Sequence, residues 1–217
     1  MSGWRETLSE ATRLFFLSIG ISNAGGRKYK PNLAKISSGE GWTSENCKAS
    51  IVDYEGKWAL RLAAQPGEGT VWLLDHEFPG GKIDLKIAAI DQRAGLLLRP
   101  LDSETADLIG FSFDLGTESP GDELFLRLCY ESGTFDERQE ARLSLPSKLR
   151  GEWIPLRIAV TRELVSVYVN NGHVALLKIK RAATSSRRLR LGIRRGADSE
   201  ALLTDWKLIE TEEWNLK

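Results

Sequence analysis

Histidine is nearly missing from this chain of 217 residues, which has only His76 and His173. A histidine-based metal centre or a Ser-His-Asp triad therefore has very little material. Cysteine is as scarce. Cys47 and Cys129 lie far apart in the sequence. That spacing excludes a disulfide framework and a clustered zinc site, and leaves two buried free thiols or one long-range disulfide. Charge of one sign is not in excess, because thirty Lys and Arg balance thirty Asp and Glu. The chain as a whole exerts no net pull on nucleic acid or an anionic membrane. Long apolar runs are missing too. The longest near the N-terminus, Leu14 to Ile21, falls well short of the roughly 20 residues that cross a bilayer. Glu6 and Glu10 precede it, where a secretory signal would be basic. The expectation is a soluble, cytoplasmic protein without a membrane segment.

What is present is alternation. Ile154, Leu156, Ile158 and Val160 share one face of a strand, with Pro155, Arg157 and Ala159 on the other. Val165, Val167 and Val169 repeat the pattern before Asn170-Asn171-Gly172. Side chains of a strand alternate faces, so this period marks half-buried antiparallel strands. Asn-Gly supplies the positive φ that a tight hairpin needs. Further strands are expected near 34–37, 47–53, 57–64, 70–78, 82–90, 94–100, 107–114, 123–130, 140–145, 173–180, 188–194 and 202–209. Turn chemistry separates them at Glu55-Gly56, Pro66-Gly67, Pro79-Gly80-Gly81 and Pro120-Gly121. Nothing between them has the length of a crossover helix. The fold class is all-β, a two-sheet antiparallel sandwich or jelly roll. Hydrophobic content of 41% and seven tryptophans can fill its core.

One segment departs from this rhythm. Trp4, Leu8, Ala11 and Phe15 recur at helical spacing. Residues 4–17 read as a short amphipathic helix that docks on the sandwich, covers a sheet edge or engages a partner. The chain thus divides into residues 1–32, a helix with its connection, and residues 33–217, the sandwich.

The segment GKIDLKIAAIDQRAGLLLRPLDSETADLIGFSFD resembles the core of concanavalin A-like lectin and glucanase domains, as do Trp153, the hairpin around Val165–Gly172 and the ending LGIRRGADSEALLTDWKLIE. In the laminin-G-like and glycosidase-associated members, a chain with this pattern continues through a Trp-initiated strand and a hairpin of this type. The resemblance spans roughly residues 40 to 210 and implies a concanavalin A-like jelly roll. It also implies that Arg99, at the end of AGLLLR, points a polar group into a concave face. Catalytic members carry Glu-x-Asp-x-x-Glu or Glu-x-Asp-x-Glu on one strand. Neither motif occurs here.

Glycoside hydrolysis needs two carboxylates across the scissile bond. The nearest pair is Asp75 and Glu77, two apart and so on one face of a strand. The alternative for both is an exposed polar strand end before the Pro79-Gly80-Gly81 turn. Sugar rings stack on aromatic side chains, and Trp42, Trp58, Trp72, Tyr54 and Tyr130 are candidates. Trp58 and Trp72 lie in apolar strands and read as core, whereas Trp42, in a Gly-rich polar stretch, reads as surface. Residues 102–140 hold Asp102, Glu104, Asp107, Asp114, Glu118, Asp122, Glu123, Glu131, Asp136, Glu137 and Glu140. Such oxygen-rich chain could take Ca²⁺, although the spacing is not that of an EF-hand, and solvated loops and strand faces explain it more simply.

A basic block answers the acidic one. Between Lys178 and Arg195 there is no acid. Arg188, Arg190 and Arg194 form an outward stripe on one strand, and Lys178 and Lys180 another on the strand before. If those strands pair, they make a broad cationic face. Its counter-charge is either an acidic partner surface, a second copy of the chain included, or the protein's own acidic segment. No aromatic interleaving or recognised module supports nucleic acid. The leading expectation is a non-catalytic lectin-like module for a carbohydrate or an acidic partner. The alternatives are a glycoside hydrolase with an atypical carboxylate pair and an interaction or oligomerisation domain.

Overall fold

The computed structural model describes residues 26–36, 38–89, 93–100, 110–117, 123–131, 139–170, 172–180 and 188–211. The helix expected over residues 4–17 lies outside them. Within the described residues fifteen strands run in chain order: β1 (Lys28–Tyr29), β2 (Trp42–Glu45), β3 (Ala49–Tyr54), β4 (Lys57–Leu62) and β5 (Gly69–Leu73) come first. They are followed by β6 (Gly81–Ala89), β7 (Arg93–Pro100), β8 (Gly110–Gly116), β9 (Leu124–Glu131) and β10 (Gln139–Leu145). The last are β11 (Ile154–Val160), β12 (Leu164–Val169), β13 (Leu177–Lys180), β14 (Leu189–Arg195) and β15 (Ala201–Glu210).

The strands make two antiparallel sheets. One has eight strands, in the order β13-β12-β11-β6-β15-β4-β3, with β1 paired to β15 beside them. The other has seven, in the order β10-β9-β8-β7-β14-β5-β2. Alternation dictates the core between them. Leu96 and Leu98 on β7, Phe111, Phe113 and Leu115 on β8, and Leu189, Leu191 and Ile193 on β14 face Ile83, Leu85 and Ile87 on β6 and Ile154, Leu156 and Ile158 on β11 in one buried cluster.

Several local expectations are corrected. The strand expected near 34–37 is not seen over its described part, because Leu33–Ile36 is a single turn of 3-10 helix. Two short strands, β1 and β2, form where the sequence pattern indicates none. The strand expected over 70–78 ends at Leu73, and beyond it the backbone pairing is reduced to an isolated bridge between Phe78 and Leu189. The 164–180 hairpin is not tight. Its strands stop at Val169 and resume at Leu177, and the positive φ falls on Asn170, at 53°.

Two tryptophans exchange roles. Trp42 is 4% exposed and packs at 5.7 Å from Trp206. Trp58 is 73% exposed. Tyr130, a surface candidate by sequence, is buried in the core with its ring 5.0 Å from Phe111. Neither cysteine is in a disulfide; Cys47 is half-buried and Cys129 is buried on β9.

One core-side feature is polar. Arg195 closes β14 with no exposed surface. Its guanidinium donates to the carbonyls of Gln65, Gly67 and Gly196 through Nη1, at 2.8, 2.8 and 2.9 Å, and to that of Asn46 through Nη2, at 2.8 Å. It thereby ties the loop before β5 to the turn after β2.

Candidate functional site

The outer face of the seven-stranded sheet concentrates polar chemistry, and register defines it. One row across the strands runs Arg142, Arg127, Asp114, Gly95, Arg194, Thr70 and Glu45. The next runs Glu140, Cys129, Ser112, Leu97, Gly192, Trp72 and Thr43. Beside it, Arg99 on β7 stands directly opposite Arg190 on β14.

Asp114 is the anchor of the first row. It has 0% exposure although it points away from the core. Arg127 donates to its Oδ2 through Nη2 at 2.7 Å and through Nε at 3.2 Å. From the other side Nε of Arg194 lies 3.0 Å from Oδ1. That second contact is an ion pair rather than an aligned hydrogen bond, since neither atom has a partner of hydrogen-bond geometry. Burial alone would lower the Arg127 guanidinium, but the hydrogen bond and charge of Asp114 outweigh it and hold it above its ordinary range. Gly95 makes this closeness possible, because a Cβ there would stand 1.9 Å from the Phe113 carbonyl oxygen and 3.1 Å from Asp114 Oδ1.

Aromatic rings on this face are capped by arginine. Trp72 is 2% exposed, and the Arg99 guanidinium carbon lies 4.8 Å from its ring centroid. The indole lies against Gly192, where a Cβ would come within 2.7 Å of it. Phe125 is fully buried, with Arg142 at 4.3 Å and Arg127 at 5.8 Å from its ring. Cation–π contacts of this kind hold a guanidinium in place.

The basic stripe expected from sequence is real as a face but not as a broad patch. Arg190 and Arg194 share the outer side of β14, and Arg194 is engaged by Asp114 and, at 3.7 Å, by Glu68. Arg188 reaches Glu77 at 3.2 Å. Lys178 and Lys180 do not join them, because β13 and β14 belong to different sheets.

Asp75 and Glu77 do not sit on a strand, and they have different partners. Asp75 accepts a hydrogen bond from the Tyr29 hydroxyl at 3.2 Å. The Tyr29 ring stacks on His76 at 3.8 Å, and His76 Nε2 lies 2.5 Å from Glu210 Oε1. This knot fastens β1 and β15 to the connection after β5. Burial, with the Asp75 charge and hydrogen bond behind it, pushes the Tyr29 hydroxyl up to about 12.

The acidic segment is dispersed. Asp114 is held by the two arginines, Glu123 accepts from Ser144 Oγ at 3.0 Å, and Glu140 lies 3.7 Å from the Cys129 thiol. Asp102, Glu104, Asp107, Glu118, Asp122, Asp136 and Glu137 lie outside the described residues. Among the described residues no three His, Cys, Asp or Glu side chains group closely enough to hold a metal ion.

No protein-family model and no curated protein matches the chain. Solved structures do. A legume lectin-like domain from Entamoeba histolytica superposes with a TM-score of 0.57 at 12% identity, covering 88% of this chain and 100% of that one. A glycoside hydrolase family 16 endo-glucanase from Bacteroides ovatus reaches 0.57 at 10% identity over 84% and 99% of the two chains. The carbohydrate-binding module CBM66 from Bacillus subtilis reaches 0.54 at 13% identity over 77% and 94%. The fold is the concanavalin A-like jelly roll. At these identities the likeness is one of fold alone. Within this jelly roll, Ser112, Asp114 and Arg127 went unrecognised as parts of one face, although a signal was present. Polar residues alternate with apolar ones in FSFDL and LFLRL, and such alternation marks the side of a strand that leaves the core.

Proposed function

We propose that the chain is a non-catalytic carbohydrate-binding module whose ligand lies on the outer face of the seven-stranded sheet. The observation that carries this reading is the construction of that face. A carboxylate with no exposure is clamped between two guanidinium groups on the side of a sheet turned away from the core. Ordinary outer faces carry independently solvated side chains. A fixed polar lattice is what orients the hydroxyl groups of a ligand. Ser112, Leu97 and Thr70, all half-buried along the neighbouring strands, offer hydroxyl groups and an apolar floor beside that lattice. Jelly-roll relatives that include a lectin-like domain and a carbohydrate-binding module support the reading. Asp75 and Glu77 are engaged by different partners, so this reading gives them no joint catalytic role.

A glycan array with the full chain tests it, beside Ser112→Tyr. The substitution places bulk at the centre of the face without touching the core. Binding of the native chain that disappears in the variant, with an unchanged circular dichroism spectrum, is the expected result. Undiminished glycan binding by Ser112→Tyr would move the site elsewhere, and no binding to any glycan would refute the reading.

A further inference from the structure

Arg99 and Arg190 set the chemistry of the ligand. They are register partners on adjacent strands and share the outer face. Like charges directly opposite one another are unfavourable in a sheet. The other arginines nearby have carboxylate partners: Arg127 and Arg194 share Asp114, and Arg188 reaches Glu77. Arg99 and Arg190 have none among the described residues. Arg99 is nonetheless held in place by its contact with Trp72, which is buried beneath it. A positioned guanidinium with uncommitted donors, beside a second one, is built to receive an anion.

The aromatic rings point the same way. A neutral sugar gains much of its affinity by laying an apolar ring face on an exposed aromatic side chain. Here Trp72 and Phe125, the aromatic side chains on the described part of this face, are both buried and both capped by arginine. Stacking is denied, and ionic recognition takes its place.

We infer that Arg99 and Arg190 form a carboxylate-reading subsite, so that the glycan held on this face is acidic, a polymer of hexuronate. The inference rests on the reading of the face as a glycan-binding one. The planar carboxylate of a hexuronate matches the guanidinium fork. Leu97 and Ser112, one row away, flank the place its ring would occupy.

Isothermal titration of the full chain at physiological ionic strength tests this with three polymers: polygalacturonate, the same polymer after carboxyl reduction, and poly-L-glutamate. Polygalacturonate should bind, and carboxyl reduction should weaken binding by about tenfold or more, the scale of one lost charge-assisted hydrogen bond. Arg99→Gln and Arg190→Gln should each weaken it by a similar factor, with unchanged circular dichroism. Equal affinity for the carboxyl-reduced polymer would overturn the acidic subsite and leave the glycan reading standing. Equal affinity for poly-L-glutamate would overturn the glycan reading and leave only an anion site. Polygalacturonate binding that is indifferent to both substitutions would remove Arg99 and Arg190 from the site.

Discussion

Replacing Asp114 by alanine isolates the energetics of the outer face. The carboxylate is fully buried and the Arg127 and Arg194 side chains that flank it are 13% and 14% exposed, so water screens this triad weakly. At an effective dielectric of about 20, unit charges about 4 Å apart attract by roughly 4 kcal/mol. Asp114 makes two such attractions, and its own desolvation offsets a large part of them. Removing it deletes both attractions and leaves two half-desolvated guanidinium groups repelling each other across an empty site. Buried pairs broken on one side lose about 3 to 5 kcal/mol, a large share of the roughly 5 to 15 kcal/mol that holds a domain folded. Urea denaturation of Asp114→Ala should therefore show an unfolding free energy lowered by that much, read as an earlier midpoint at unchanged slope. Asp114→Asn keeps the volume and one acceptor and should lose less. A loss below about 1 kcal/mol for the alanine variant would refute the reasoning, because exposed pairs give values of that size.

Two further predictions concern groups outside this face. Arg195→Met removes a donor set that four backbone carbonyls share. Unsatisfied buried acceptors cost about 1 to 3 kcal/mol each, so thermal unfolding should show the largest loss of any single arginine substitution in the chain, and loss no larger than that of Arg190→Met would contradict the assignment. Tyr29 titrates at about 12 in the folded protein against an ordinary 10.0, with burial the leading cause. The folded state keeps its proton longer than the unfolded one, so this contribution to stability is complete below pH 10 and fades between about 10 and 12. Ultraviolet titration should show a late tyrosinate phase that Tyr29→Phe reduces without abolishing, because burial also raises Tyr54 and Tyr168.

The sandwich was legible because core burial and strand alternation are the same fact seen at two scales. Val165, Val167, Leu189, Leu191 and Ile193 all face the core that their spacing demanded. Parity along a strand does not say how far its neighbours extend, and the tryptophans show the consequence. Trp58 shares parity with Leu60 and Leu62, but β15 pairs with β4 only over Leu60 to Leu62 and stops short of it. Trp42 is the single buried residue of an edge strand whose other three side chains are exposed. Its polar neighbours describe the edge, and its own environment is set by Leu73 opposite and Trp206 across the core.

The site was less legible because it is built from register, which the sequence does not write down. Spacing along the chain places a shared basic face on consecutive strands, yet β13 and β14 lie in different sheets, as a jelly roll requires of a chain that crosses between its layers. The true neighbours of β14 are β7, about ninety positions earlier, and β5, earlier still. The counter-charge was likewise more selective than composition suggested. Among the described acids of that segment, Asp114 is the residue placed against the stripe, and it engages Arg194 while Arg190 faces Arg99. Net charge of zero therefore hides a local excess of positive charge. Such an excess persists where two arginines, far apart in sequence but on adjacent strands, meet with no acid between them among the described residues, and a ligand that brings its own carboxylate is the simplest group to complete it.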